Sequence, residues 1–165
     1  MTNNRKHRTG PHGTARQCFP KEDIMQFIPG VGAQGAKFGI KEDELVRAFG
    51  KPDRRIEDGM GVMLIYNDKY ARFRFDKDLG GKLTTIECSD PSLTIMDRKV
   101  IGMKKSAFEA LAREKGFAPV EYEDYDSFET AFCDPFSAWF TLEYGRVSAV
   151  KCGPLIGEND EVRWP

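Results

Sequence analysis

Between positions 121 and 129 the chain reads Glu-Tyr-Glu-Asp-Tyr-Asp-Ser-Phe-Glu, five carboxylates and three aromatic rings in nine residues. Carboxylates at this density steer a basic partner towards them and fix its register. Tyrosines supply anchors of the kind around which interface energy concentrates. The D-x-D-x-D-G spacing of a calcium loop is missing, so a cation is not the expected ligand. Two readings stay open: a solvated loop leading into a strand, or a loop that docks into the cationic cleft of another protein. Glu121, Tyr122, Glu123, Asp124, Tyr125, Asp126 and Glu129 are the first candidates for partner contact. Trp139 is the second. It alternates with Phe140 in a strand-like run, and its parity groups it with Arg72, Arg74, Thr141, Glu129 and Ala131 on the face opposite Phe140. There it serves as an interface anchor or packs beneath the amino-terminal segment.

The remaining chemistry-bearing residues point away from catalysis. His7 and His12 lie in a polar stretch that holds no fixed geometry, so neither is a dependable general base for Cys18 or Ser106. No catalytic residues are expected, and the chain does not read as an enzyme. Gly30-Val-Gly32-Ala-Gln-Gly35 spells G-x-G-x-x-G. A pyrophosphate site needs a strand before that pattern and a helix opening from it. Here Pro29 precedes the pattern and Lys37-Phe38-Gly39 follows, so a flexible linker is expected. The four cysteines, at 18, 88, 133 and 152, include no C-x-x-C pair, which disfavours zinc. No metal or cofactor is expected. Cys88 and Cys152 read as small buried thiols, with a disulfide as the alternative.

The elements that would position these residues come in two copies. Phe38-Gly39-Ile40-Lys41 leads into Leu45, Ala48 and Phe49; Ile101-Gly102-Met103-Lys104 leads into Phe108, Leu111 and Ala112, each displaced by 63 residues. Ala71–Phe75 answers Ala138–Leu142 at an offset of 67, and Leu83–Cys88 answers Val147–Cys152 at 64. In the first copy Leu45, Ala48 and Phe49 form one apolar helix face. Glu42, Asp43 and Glu44 suit its amino-terminal dipole, and Gly50 and Pro52 end it. Val62–Tyr66 is β-prone. Phe73 and Phe75 alternate with Arg72 and Arg74, the period of a strand with one wet face, and Gly80-Gly81 turns that strand into Leu83–Cys88. The second copy repeats this plan, with a helix near 104–115 and strands near 127–133, 137–143 and 146–152. The expected fold is α+β: two tandem repeats, each a helix followed by an antiparallel three-stranded meander, with the helices on one sheet face. The expected organisation is a mobile tail over 1–17, an amino-terminal segment and linker over 18–37 with a helical turn at 21–28, repeat one over 38–100 and repeat two over 101–165. Phe73, Phe75, Phe140 and Leu142 should form the core with Leu45, Phe49 and Phe108.

Net charge is only −1, but it is unevenly spread. Residues 1–40 carry a surplus of +4, residues 41–103 balance, and residues 104–165 carry −5. The carboxyl-terminal part should repel nucleic acid and attract cationic partners. No apolar run approaches the roughly 20 residues that cross a bilayer. Met1–Gln17 has no apolar core of a secretory signal, so a cytoplasmic location and reduced thiols are expected.

The heading motif of the two copies, Phe38-Gly39-Ile40 through Leu45 to Gly50 and Ile101-Gly102-Met103 through Phe108, resembles that of β-lactamase inhibitory protein. The same unit occurs singly in small lipoproteins of the outer-membrane assembly machine. The resemblance spans residues 38–152, with Lys41 and Lys104 standing where the family carries a helix-capping Ser or Thr worth about 1 kcal/mol. It implies a tandem helix-and-strand scaffold and a protein-binding role. With the acidic segment, it points to a non-enzymatic inhibitor, most concretely an immunity protein that occludes a cognate bacterial toxin or another enzyme with a cationic cleft. A structural or assembly module and a small-ligand sensor using the cleft between repeats are the alternatives. No membrane partner is expected, and nucleic acid is disfavoured.

Overall fold

The computed structural model describes residues 25–165. The expected tail over 1–17, His7, His12 and Cys18 lie outside the described residues.

The first strands are short. β1 (Gln26–Ile28), β2 (Gly32–Ala33) and β3 (Ala36–Lys37) form a tight antiparallel meander. Glycine makes it possible: Gly30 and Gly35 have φ of 72° and 78°, and a Cβ on Gly32 would lie 2.3 Å from the Ala36 carbonyl oxygen. The expected linker is therefore ordered hairpin, and the expected helical turn is a strand where it can be seen, with Phe27 buried and Ile28 exposed. No helix opens from the glycines, which removes the geometry a pyrophosphate would need.

Helix α1 (Glu42–Phe49) follows, then β4 (Arg54–Asp58), β5 (Gly61–Tyr66), β6 (Ala71–Asp76) and β7 (Lys82–Cys88). Without a capping hydroxyl at Lys41, α1 uses Glu44, whose carboxylate accepts the Lys41 N–H at 2.8 Å, while Lys41 Nζ donates to the Gly80 carbonyl. Two further strands, β8 (Thr94–Ile95) and β9 (Arg98–Lys99), lead to α2 (Lys105–Lys115), which stops at Gly116 in the left-handed conformation. β10 (Glu121–Tyr125), β11 (Phe128–Cys133), β12 (Ala138–Glu143) and β13 (Arg146–Cys152) come next, and the hairpin β14 (Leu155–Ile156) and β15 (Val162–Arg163) closes the chain.

The eight long strands make one antiparallel sheet in the order β10-β11-β12-β13-β7-β6-β5-β4. At its centre β13 meets β7, with Glu87 facing Lys151 and the pairs Ile86–Cys152 and Cys88–Val150 on either side. Glu87 and Lys151 lie 64 positions apart in sequence, so the register is symmetric about that pair. A second, five-stranded sheet has the order β3-β2-β1-β8-β9, with β1 and β8 parallel.

This architecture corrects the expected α+β fold of two helix-plus-three-strand repeats. The described chain is mainly β, with fifteen strands and two α-helices. Four long strands follow each helix, and all eight of these join into a single sheet. The cover is not made by helices alone. Phe108 of α2 lies 4.6 Å from Phe140 and Phe49 of α1 lies 5.2 Å from Phe73, centroid to centroid. Phe27 and Ile95 of the five-stranded sheet reach the same core, and with Phe117, Phe140 and Cys152 they line an apolar void of about 10 Å³. Phe73, Phe75, Phe140, Leu142, Leu45 and Phe108 are buried, and Phe49 is half-buried against them.

Cys88, Cys133 and Cys152 are buried free thiols. Burial pushes Cys88 up from its ordinary 9.0 to about 11 and Cys133 to about 12, and it raises Cys152 well above the ordinary value. Thiolate is the reactive form, so these three thiols are expected to resist a disulfide-exchange probe at pH 8 until denaturant is added. Rapid labelling of more than one thiol per native chain would contradict this. The same shifts affect stability. From pH 9 to about 11 the unfolded chain releases thiol protons that the folded chain keeps. The native state then binds more protons, and stability falls as pH rises through that window. A denaturation midpoint that holds or rises from pH 9 to 11 would contradict the assignment.

Candidate functional site

On the sheet face turned away from the core, cross-strand pairing builds a continuous row of side chains. Arg54 of β4 pairs with Ile65, Ile65 with Arg72, Arg72 with Glu87, Glu87 with Lys151, Lys151 with Trp139, Trp139 with Phe132, and Phe132 with Glu121 of β10. The row runs from a basic residue, Arg54, on one edge strand to an acidic residue, Glu121, on the other. Its middle is aromatic: Phe132 and Trp139 stack at 4.6 Å, and Lys151 Nζ sits 5.1 Å from the Trp139 ring centre. Trp139 and Phe132 are half-buried by these neighbours. Arg72 is exposed and forms a loose ion pair with Glu87 at 3.4 Å.

Arg74 shares this face but is otherwise engaged. Its guanidinium grips Asp58 in a bidentate pair at 2.9 and 3.0 Å and lies 3.7 Å from Asp76. Its side chain is only 13% exposed, so it ties β6 to the β4–β5 turn rather than reaching for a partner. The Arg74 hydrogen bonds, helped by the Met60 and Gly61 N–H groups, hold the Asp58 carboxyl below its ordinary range.

The acidic segment is not a loop. Glu121–Tyr125 is the edge strand β10, paired with β11 from Glu121–Phe132 to Tyr125–Phe128, and Asp126 and Ser127 make the turn. All five β10 residues, with Asp126, are exposed. Strand alternation splits the candidates between two faces. Glu121, Glu123 and Tyr125 project with Trp139 and Arg72; Tyr125 stacks on Phe128 at 4.8 Å and donates its hydroxyl hydrogen to Glu123 at 2.7 Å. That hydrogen bond raises the Tyr125 phenol. Tyr122 and Asp124 project to the core side, where Lys105 of α2 lies 2.6 Å from Glu129 and 4.4 Å from the Tyr122 ring centre. Burial, with Glu109 beside it, pushes the Tyr122 phenol to about 12. Tyr122 and Glu129 thus fasten the edge hairpin to α2. Glu121, Asp124 and Asp126 have no ion-pair partner among the described residues.

The grouping of Glu129 and Ala131 with Trp139 is corrected by the register. Ala131 pairs with Phe140 and Glu129 with Leu142, so both lie on the core side, and Ala131 is buried. Sequence reading also passed over Phe132 and Lys151, and it counted Phe128 among the aromatic rings without making it a contact candidate. The signal for Phe132 was its alternation with the small buried residues Ala131 and Cys133.

No family model matches the chain, and no curated protein matches it. Among solved structures it is similar to an extracellular protein containing a SCP domain from Bacillus anthracis str. Ames, with a TM-score of 0.49 and 12% identity, over 87% of this chain and 50% of that one. The chain thus spans about half the length of that protein.

Proposed function

We propose that this chain is a non-enzymatic protein-binding inhibitor. In its most concrete form it is a cytoplasmic immunity protein that docks stoichiometrically on a cognate bacterial toxin, or on another enzyme with a cationic cleft. The observation that supports this reading is the β10–β11 edge hairpin. It presents Glu121, Glu123, Asp126 and Tyr125 at the rim of a sheet face whose centre is the Phe132–Trp139–Lys151 stack. Clustered carboxylates around aromatic anchors suit a basic, concave partner. Glu121, Glu123, Tyr125, Asp126, Trp139 and Arg72 are the proposed contacts. Tyr122, Glu129 and Arg74 act indirectly, by holding the two sheet edges in place.

An assembly module would use the same surface without blocking an active site. Co-expression with the product of a neighbouring gene that arrests growth separates the two. Growth is expected to recover with the native chain and to fail with Trp139→Ala combined with Tyr125→Ala. Recovery with both chains, or with neither, would overturn the inhibitor reading. A small-ligand sensor draws less support, because the apolar void of about 10 Å³ beneath Phe27 and Phe140 has room for about one water.

A further inference from the structure

The opposite edge of the eight-stranded sheet carries a different charge pattern. β4 reads Arg54-Arg55-Ile56-Glu57-Asp58 and ends the sheet beyond β5, so its outer row of backbone N–H and C=O groups has no ladder partner. All five residues are exposed, Ile56 at 37%. Read in the reverse direction the charges invert. An antiparallel copy of β4 centred on Ile56 sets Arg54 against Asp58 and Arg55 against Glu57, and each pair recurs on the other side of the centre. Ile56 then meets Ile56 on the axis. β10 lacks this property: centred on Glu123, it sets Glu123 against Glu123 and brings no opposite charges together.

We infer that β4 is a self-association edge, pairing antiparallel with β4 of a second copy of this chain. The two eight-stranded sheets then run on as one across a two-fold axis at Ile56. Isologous pairing needs a self-complementary patch, and this strand is self-complementary at every position. Opposite charges across an antiparallel pair stabilise it, and like charges directly opposite destabilise it. The arrangement covers Ile56 and satisfies two open edges at once. Arg55 also keeps its contacts within the chain, to Glu42 at 2.6 Å and Glu57 at 2.7 Å, which hold the guanidinium at this edge. Because the axis lies at β4, the acidic β10 edge of each copy stays open, and the dimer is closed.

The test is mass by light scattering and sedimentation over micromolar to millimolar concentrations at low salt. The native chain should approach twice its 18.7 kDa mass. Arg55→Glu and Glu57→Arg each set like charges opposite one another twice per dimer, and each alone should weaken self-association at least tenfold. Mixed in equal amounts they restore every opposite-charge pair, and the mixture should dimerise again. Both side chains are solvent-exposed, and circular dichroism verifies that the variants fold. A native chain that stays monomeric at millimolar concentration overturns the inference. So does a dimer indifferent to both substitutions, a pair of variants that fails to recover on mixing, or open-ended polymers, which would require β4 to pair with β10 instead.

Discussion

Replacing Phe140 by Ala is expected to remove about 3–5 kcal/mol of folding stability. Phe140 is 1% exposed, sits 4.6 Å from Phe108 and 6.2 Å from Phe117, and lines the void of about 10 Å³ beneath the five-stranded sheet. Truncation enlarges an existing void at the point where three layers meet: the large sheet, α2 and the small sheet. None of the three can close the gap without breaking contacts with the other two, so the surroundings relax little. Against a typical total of roughly 5–15 kcal/mol, the loss leaves a marginal fold. Urea unfolding at pH 7 measures it. Phe140→Leu should lose distinctly less, and Tyr144→Ala, at a fully exposed hairpin turn, should lose almost nothing. A Phe140→Ala loss under about 1 kcal/mol would place the core on the other sheet face.

That core was readable from parity. Phe73 and Phe75 alternate with arginines in β6 and are buried, and Phe140 and Leu142 occupy the corresponding positions of β12. Helices α1 and α2 were readable from their apolar spacing and, in the first copy, from Gly50. Where the reading failed, the signal itself was missing. β4 and β10 are edge strands wet on both faces, so neither alternates apolar with polar residues, and Arg-Arg-Ile-Glu-Asp and Glu-Tyr-Glu-Asp-Tyr both pass for loop. β2, β3, β8 and β9 are two residues each, too short for any period to register. The second sheet forms because β1 finds β8 across some 65 residues of chain, a pairing that no local pattern encodes. The join of β13 to β7 is likewise set by tertiary register, and it turns two expected meanders into one sheet.

The site shows the same division. The residue types at 121–129 were what suggested the proposed contact, and Trp139 and Arg72 were correctly placed on one face. The side on which each acidic residue stands was not legible, because it depends on β10 being a strand at all. That fact changes how the segment works. A loop would carry its carboxylates as a mobile cluster. A strand fastened to α2 through Lys105, Tyr122 and Glu129 presents Glu121, Glu123 and Tyr125 in a fixed row, which would lower the ordering cost of the proposed docking.

Neutralising Glu123, Asp124 and Asp126 together to Gln, Asn and Asn is therefore expected to separate stability from binding. Asp124 stands directly opposite Glu129 in the β10–β11 register, a like-charge pair that costs stability. Lys105 offsets only the Glu129 side. The triple variant should melt at the native temperature or slightly above it. Binding to the partner should fall on the order of 10–100-fold at low salt, mainly through slower association, because exposed carboxylates act by steering. The deficit should shrink as salt screens the native chain's advantage, with a Debye length of about 10 Å at 0.1 M. Tyr125→Ala should behave differently. Its ring is stacked on Phe128 and held by Glu123, so it would enter the proposed interface pre-positioned. Its loss should leave association nearly unchanged and speed dissociation on the order of 30-fold, the effect of an anchor worth about 2 kcal/mol. Stopped-flow association and dissociation rates at two salt concentrations decide the matter. Native affinity in the triple variant at low salt would remove β10 from the contact and leave the Phe132–Trp139–Lys151 stack as the surface to mutate next.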